Sequence, residues 1–248
     1  MAKIGTDAAT TPLEMIRAEG SHFFKQKPRG MCTSFLGCED EHEFGIGAAT
    51  NWTHNGTDTL YLTEQKTCCQ GGMQLTLSQG GKKGGEPLAK FFRPYYNLPI
   101  CPLKACLHQK MKVMDKSGAQ IGAVTETMYC CVPTFKISLN DAVIYELHQP
   151  TMCCGICVNY FDACGQPGRN CCFCYDPVPY YFYPVSGNEF QRDGKILATK
   201  LRGCLGYPSA CCNGCTQADS FELVAPKEAM GNKLSLIYGA TALVAFTL

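Results

Sequence analysis

The sequence predicts a mainly β domain, a closed or nearly closed antiparallel barrel enclosing a hydrophobic C-terminal α-helix. Three observations predict it. Short runs rich in β-branched and aromatic residues recur along the chain with apolar and polar side chains alternating. Gly, Asn and Asp clusters punctuate those runs. The last fifteen residues, Leu234 to Leu248, carry no charged side chain and need an apolar place to sit.

Taken in order, residues 1–30 read as a polar N-terminal tail, with a short helix expected at the amphipathic run Pro12-Leu-Glu-Met-Ile-Arg-Ala18. The domain is then expected over residues 31–248. Met73, Leu75 and Leu77 alternate with Gln74, Thr76 and Ser78 before Gly80-Gly81 breaks the run, the pattern of a half-buried strand entering a hairpin. Further strands are expected at Leu60-Tyr-Leu-Thr63, Met111-Lys-Val113, Phe135 to Leu139, Val143 to Leu147, Lys195 to Ala198 and Phe221 to Val224. Turns are expected at Asp115-Lys-Ser-Gly118, Asn140-Asp141 and Arg192-Asp193-Gly194. Closure of such a sheet removes the exposed edges that would otherwise aggregate.

The helix expected over residues 233–248 is rich in Leu and Ala. Fifteen helical residues span about 22 Å, short of the ~30 Å hydrocarbon core of a bilayer. Two placements stay open, a helix threaded through the barrel and a tail-type membrane anchor. In the threaded placement Leu234, Leu236, Ile237, Leu243, Val244 and Phe246 form its buried surface.

Lys plus Arg number 22 against 21 Asp plus Glu, so no global field draws in nucleic acid or another polyanion. The 19 cysteines are odd in number and often adjacent, as in Cys68-Cys69 and Cys153-Cys154, which suits thiols better than a set of bridges. Residues 1–20 show no apolar signal core, so a reducing compartment is expected.

Three constellations could carry chemistry. Cys154-x2-Cys157 followed by Cys171-x2-Cys174 has the spacing of a zinc or iron-sulfur centre, against a plain thiol-rich loop. Cys101 and Cys106, beside Lys104 in a proline-flanked apolar stretch, are candidates for S-palmitoylation, or lie in a buried strand connection. The aromatic, proline-rich segment 176–184 suits a protein partner, or forms an internal strand. The five histidines adjoin no recognisable nucleophile motif, and Gly80-Gly-Lys-Lys-Gly-Gly85 reads as a hairpin tip rather than a phosphate loop. No enzyme of covalent chemistry is expected.

Leu60-Tyr-Leu-Thr-Glu-Gln-Lys-Thr-Cys-Cys69, Phe91-Phe-Arg-Pro94, Gly122-Ala-Val124, Cys131-Val-Pro-Thr-Phe-Lys-Ile137, Gly194-Lys-Ile196, Ala218-Asp-Ser-Phe221 and the apolar C-terminus occur in the order and spacing of one family. From about Met31 to Leu248 the chain resembles a phospholipid scramblase. The resemblance implies a twelve-stranded Tubby-like barrel with the C-terminal helix through its centre. It further implies calcium-stimulated, ATP-independent movement of phospholipids between leaflets, and attachment through acylated cysteines, here Cys101 and Cys106. The family's calcium segment falls on residues 217–228, where Gln217, Asp219, Phe221, Glu222 and Glu228 take the ligand and turn positions. A neutral Gln217 at the first position, the opposing charge of Lys227, and Glu222 where a sharp turn favours Gly together predict weak binding, and the alternative for these carboxylates is a solvated strand edge.

Two functions follow as expectations: a membrane-associated scramblase on a cytoplasmic face, by default at the plasma membrane with a mitochondrial or other internal membrane also open, and a lipid-tethered scaffold or accessory subunit without scrambling activity. The first must lower the cost of dragging a headgroup through hydrocarbon, which a single short helix does not do.

Overall fold

The computed structural model describes residues 21–27, 42–50, 53–54, 58–65, 72–94, 108–127, 132–152, 157–158, 179–187, 191–198 and 220–247. Its strands are β1 (Ser21–Gln26), β2 (Glu43–Thr50), β3 (Thr53–His54), β4 (Leu60–Gln65), β5 (Gly72–Gln79), β6 (Pro87–Pro94), β7 (Lys110–Asp115) and β8 (Gln120–Glu126). They continue as β9 (Thr134–Leu139), β10 (Ala142–His148), β11 (Thr151–Met152), β12 (Cys157–Val158), β13 (Tyr180–Pro184), β14 (Lys195–Ala198) and β15 (Ser220–Val224). One helix, α1 (Asn232–Thr247), follows.

Strand β1 is hydrogen-bonded to β15 on one side and to β2 on the other, so the sheet closes. The circuit runs β1-β15-β14-β13-β10-β9-β8-β7-β6-β5-β4-β2 and back to β1, twelve strands, every pairing antiparallel. Strand β3 adds to β2, and β11 and β12 form a separate small hairpin. The closing strand corrects the expected domain boundary. Ser21 to Gln26 lie within the stretch expected to be tail, yet they seal the barrel, and Phe24 is 2% exposed. Two aromatic residues in succession gave this segment no alternation to reveal it.

The hairpin turns have the backbone their residues favour. Asn140 and Asp141 both adopt positive φ, 48° and 67°, between β9 and β10, as a two-residue turn joining twisted strands requires. Gly118 and Gly194 lie at φ 91° and 89° in the other two expected turns.

Alternate residues of each strand point into the cylinder, and α1 fills it. Tyr238 hydrogen-bonds to His22 of β1 and packs against Phe24 with ring centroids 5.6 Å apart. Phe246 meets Phe44 of β2 edge-on at 6.0 Å. The helix further contacts β7, β8, β9 and β15, so the strands surround it. Leu234, Leu236, Ile237, Leu243 and Val244 are at most 1% exposed. Each contributes about 1.5–3 kcal/mol by leaving water. Close approach is purchased with glycine: a Cβ on Gly239 would come within 2.8 Å of Val113 Cγ2, and one on Gly122 within 2.9 Å of Leu236 Cδ2. The threaded placement of the helix is therefore the one observed, and no described helix is long and apolar enough to cross a membrane.

Candidate functional site at one end of the barrel

Antiparallel neighbours that follow one another in sequence place their connections alternately at the two ends of the barrel. At one end lie the connections 51–59, 80–86, 116–119, 140–141 and 185–194, together with 225–231, which leads into α1. The strand termini of the other end bracket residues 27–42, 66–71, 95–109, 127–133, 149–179 and 199–219. In sequence every one of these six segments carries at least two cysteines, and the first six carry none. All 19 cysteines therefore belong to connections of the end toward which α1 runs. Of the 19, only Cys157 falls among the described residues.

The interior wall changes character toward that same end. Strand β1 ends inward on Gln26, β4 on Glu64, β6 on Arg93 and β8 on Glu126, all buried, with His42 just before β2. Gln26 Nε2 lies 3.2 Å from His42 Nδ1, and the His42 backbone N–H donates to Glu64 Oε2 at 3.1 Å. The His42 ring meets Phe246 edge-on at 4.9 Å. Arg93 Nη1 donates to the carbonyl of Phe246 at 3.4 Å. A cation there complements the negative end of the helix, whose own last turn has no basic residue. Glu126 is 2% exposed; its Oε2 accepts from the Gln109 backbone N–H at 3.0 Å, while Oε1 has no hydrogen-bond partner among the described residues.

The outer wall is pinned differently. Tyr61 donates to Glu43 Oε2 at 2.6 Å, and Glu43 Oε1 lies 3.5 Å from Lys83 of the β5–β6 hairpin. Burial, then the Glu43 hydrogen bond and charge, then Asp58 push the Tyr61 hydroxyl pKa well above its ordinary value. Asp58 is itself paired with Lys27 at 2.7 Å. Asp115, at the end of β7, is held below the ordinary carboxylate range chiefly by the hydrogen bond from Ser117.

The expected site residues fare unequally. Cys101, Cys106, Cys154, Cys171, Cys174, Gln217 and Asp219 lie outside the described residues. Cys157 pairs with Met152 in the β11–β12 hairpin. Phe221 and Glu222 lie in β15, bonded on both edges, so this part of the expected calcium segment is a strand and not a loop. Phe221 points into the core at 1% exposure, and Glu222 faces the other way, opposite Phe23 and Leu197. Glu228 is exposed at the far end, in the approach to α1. The extended backbone at Glu222 thus removes the sharp turn that the calcium reading needs there. Among the described residues no three His, Cys, Asp or Glu side chains converge on a metal position.

Of the aromatic segment, Tyr180 to Pro184 are internal strand β13, flanked by β10 and β14, which is the second of the two readings offered for it. Tyr180 and Phe182 enter the core, while Tyr183 stacks on His148 at 4.2 Å and Tyr181 lies under Arg192 at 4.5 Å. The sequence reading missed the polar interior end. Its signal was a Gln, Glu or Arg closing an otherwise apolar inward row, legible only once strand ends are known.

Comparison of the chain with protein-family models, with curated proteins and with solved structures finds no match.

Proposed function

We propose that this protein is a membrane-associated, scramblase-like protein that promotes bidirectional, ATP-independent movement of phospholipids between leaflets from the cytoplasmic face of a membrane. The observation that carries this reading is the twelve-stranded barrel closed around a buried C-terminal helix, the architecture that the family resemblance implies. Collection of every cysteine on connections of one end supports it further, since acylation there would tether the barrel by that end. Zinc held by Cys154, Cys157, Cys171 and Cys174 is a different use of cysteines of this end, with a readout of one metal per chain.

The test is the full chain reconstituted in liposomes with a fluorescent inner-leaflet lipid and dithionite outside, with and without calcium. Accelerated loss of fluorescence supports the reading. An unchanged plateau with protein present in the vesicles sinks it. Calcium stimulation is a separate arm, because Phe221 and Glu222 are committed to the sheet.

A second reading, a lipid-tethered scaffold or accessory subunit, is favoured by one observation. The barrel is filled: residues 234–244 of α1 are buried throughout, so its interior is side chains and not a polar track for headgroups. A stable partner co-purifying with a protein inactive in liposomes would select it.

A further inference from the structure

We infer that the outer face of β6 and β7 is the surface by which this protein docks on an anionic phospholipid bilayer. The inference rests on the membrane-associated reading above and names its contact surface. Lys110, Lys112 and Lys90 lie on the outward side of these two neighbouring strands, while Met111, Val113, Ala89 and Phe91 between them point inward and are fully buried. In the ladder Lys112 stands opposite Phe92, and Lys90 opposite Met114. Lys90 and Lys112 are thus diagonal neighbours, about 7 Å apart at the backbone, and Lys110 lies a similar step along β7. Lys110 and Lys112 are exposed, and Lys90, Phe92 and Met114 half-buried.

Like charges this close on one sheet face repel, and folds ordinarily interleave them with acids. Elsewhere on this barrel they do: Lys136 on β9 lies 3.6 Å from Glu146 on β10, Lys116 lies 4.0 Å from Glu86, and Lys27 is bonded to Asp58. Lys90, Lys110 and Lys112 have no ion pair among the described residues. The outward neighbours that flank them in the ladder, Thr76 on β5 and Ala123 and Thr125 on β8, are uncharged. Three unneutralised ammonium groups on flexible stems, with Phe92 and Met114 between them, match a bilayer surface of anionic headgroups over an apolar interior. The same two strands flank in sequence the segment that bears Cys101 and Cys106.

The experiment uses unacylated full-length protein and flotation with vesicles of phosphatidylcholine alone or with phosphatidylserine added. The variant K90Q/K110Q/K112Q is compared with K82Q/K116Q/K227Q, which removes the same charge from exposed lysines at the opposite end of the barrel. The wild type is expected to float with serine-containing vesicles and to release as salt rises. The first variant is expected to lose on the order of 100-fold in partitioning, roughly five-fold per lysine, and the second to stay within a few-fold of wild type. Circular dichroism of both variants guards against unfolding. Wild-type flotation that the first variant retains would overturn the surface and leave the membrane reading standing. Absence of flotation by the wild type, or lysine-dependent binding to single-stranded RNA in its place, would overturn both the surface and its occupant.

Discussion

The two ends of this barrel are built on opposite principles. One is closed by short turns whose backbone is set by Gly80, Gly118, Gly194 and the Asn140-Asp141 pair, and α1 starts from it behind Gly231. The other receives the helix C-terminus among Gln26, His42, Glu64, Arg93 and Glu126, and its connections hold every cysteine. Between them the wall is apolar inside. The difference teaches that tight turns and cysteine-bearing connections are segregated along the axis: turns and helix packing fix the cylinder, which leaves the connections of one end free to vary in sequence.

Removing the helix is the most severe way to break this arrangement. Ending the chain at Gly231 strips the apolar wall of its filling and exposes Leu75, Phe91, Val113 and Ile137 to a water-filled bore. Loss of a cooperative thermal transition is expected, and a barrel that still melts sharply without α1 would refute the central packing role. A milder version cuts one side chain. Leu243→Ala removes a fully buried group close to the polar end and should cost about 2–5 kcal/mol in denaturant unfolding. Leu234→Ala near the other end should cost a similar amount, since both are enclosed by the wall.

Arg93 separates the ends more specifically. Arg93→Met keeps most of the apolar stem but leaves the Phe246 carbonyl without its cationic donor. A loss of about 1–3 kcal/mol is expected, with local protection against amide exchange falling in the last turn of α1 and not in its first. Equal fraying at both helix ends would show that Arg93 acts on the whole wall.

How far the sequence foretold these regions depends on which side chains had to alternate. Strands β5, β7, β9 and β10 show apolar and polar residues in turn, and all were expected, as were the turns at Gly118, Asn140 and Gly194. Strand β2, Glu43 to Thr50, was missed because its outward positions include Gly45 and Gly47, which leave no polar beat between Phe44 and Ile46. Strand β1 was missed for its paired phenylalanines. Uniform apolarity did announce the helix but left its location open between lipid and protein interior, since both solvents reward the same side chains. Residues 217–228 carried two readings at once, a calcium segment and a strand at Phe221 to Val224, and the strand is the one observed for that part. Spaced carboxylates were visible, but Phe221 and Leu223 flanking Glu222 also make a strand, and burial of those two side chains decides the matter. Lys112 lay within the expected strand Met111-Lys-Val113; its proximity to Lys90 is a product of strand register that one-dimensional reading does not supply.

The smallest effect tests how the short-turn end is fastened to the outer wall. Tyr61→Phe deletes the hydrogen bond to Glu43, which also meets Lys83 of the β5–β6 hairpin, and should cost about 1 kcal/mol at neutral pH. The sign of its pH dependence follows from the raised hydroxyl pKa. The folded protein holds that proton more tightly than the unfolded chain, so the contribution is complete below the ordinary tyrosine value of 10.0 and is lost as pH rises beyond it. The stability advantage of wild type over Tyr61→Phe should therefore be level from pH 7 to 9 and shrink above pH 10 in denaturant titrations. A gap that stays constant through that range would mean the hydroxyl ionises in place, in contact with water, and that the hairpin is held by the Lys83 and Glu43 charges alone.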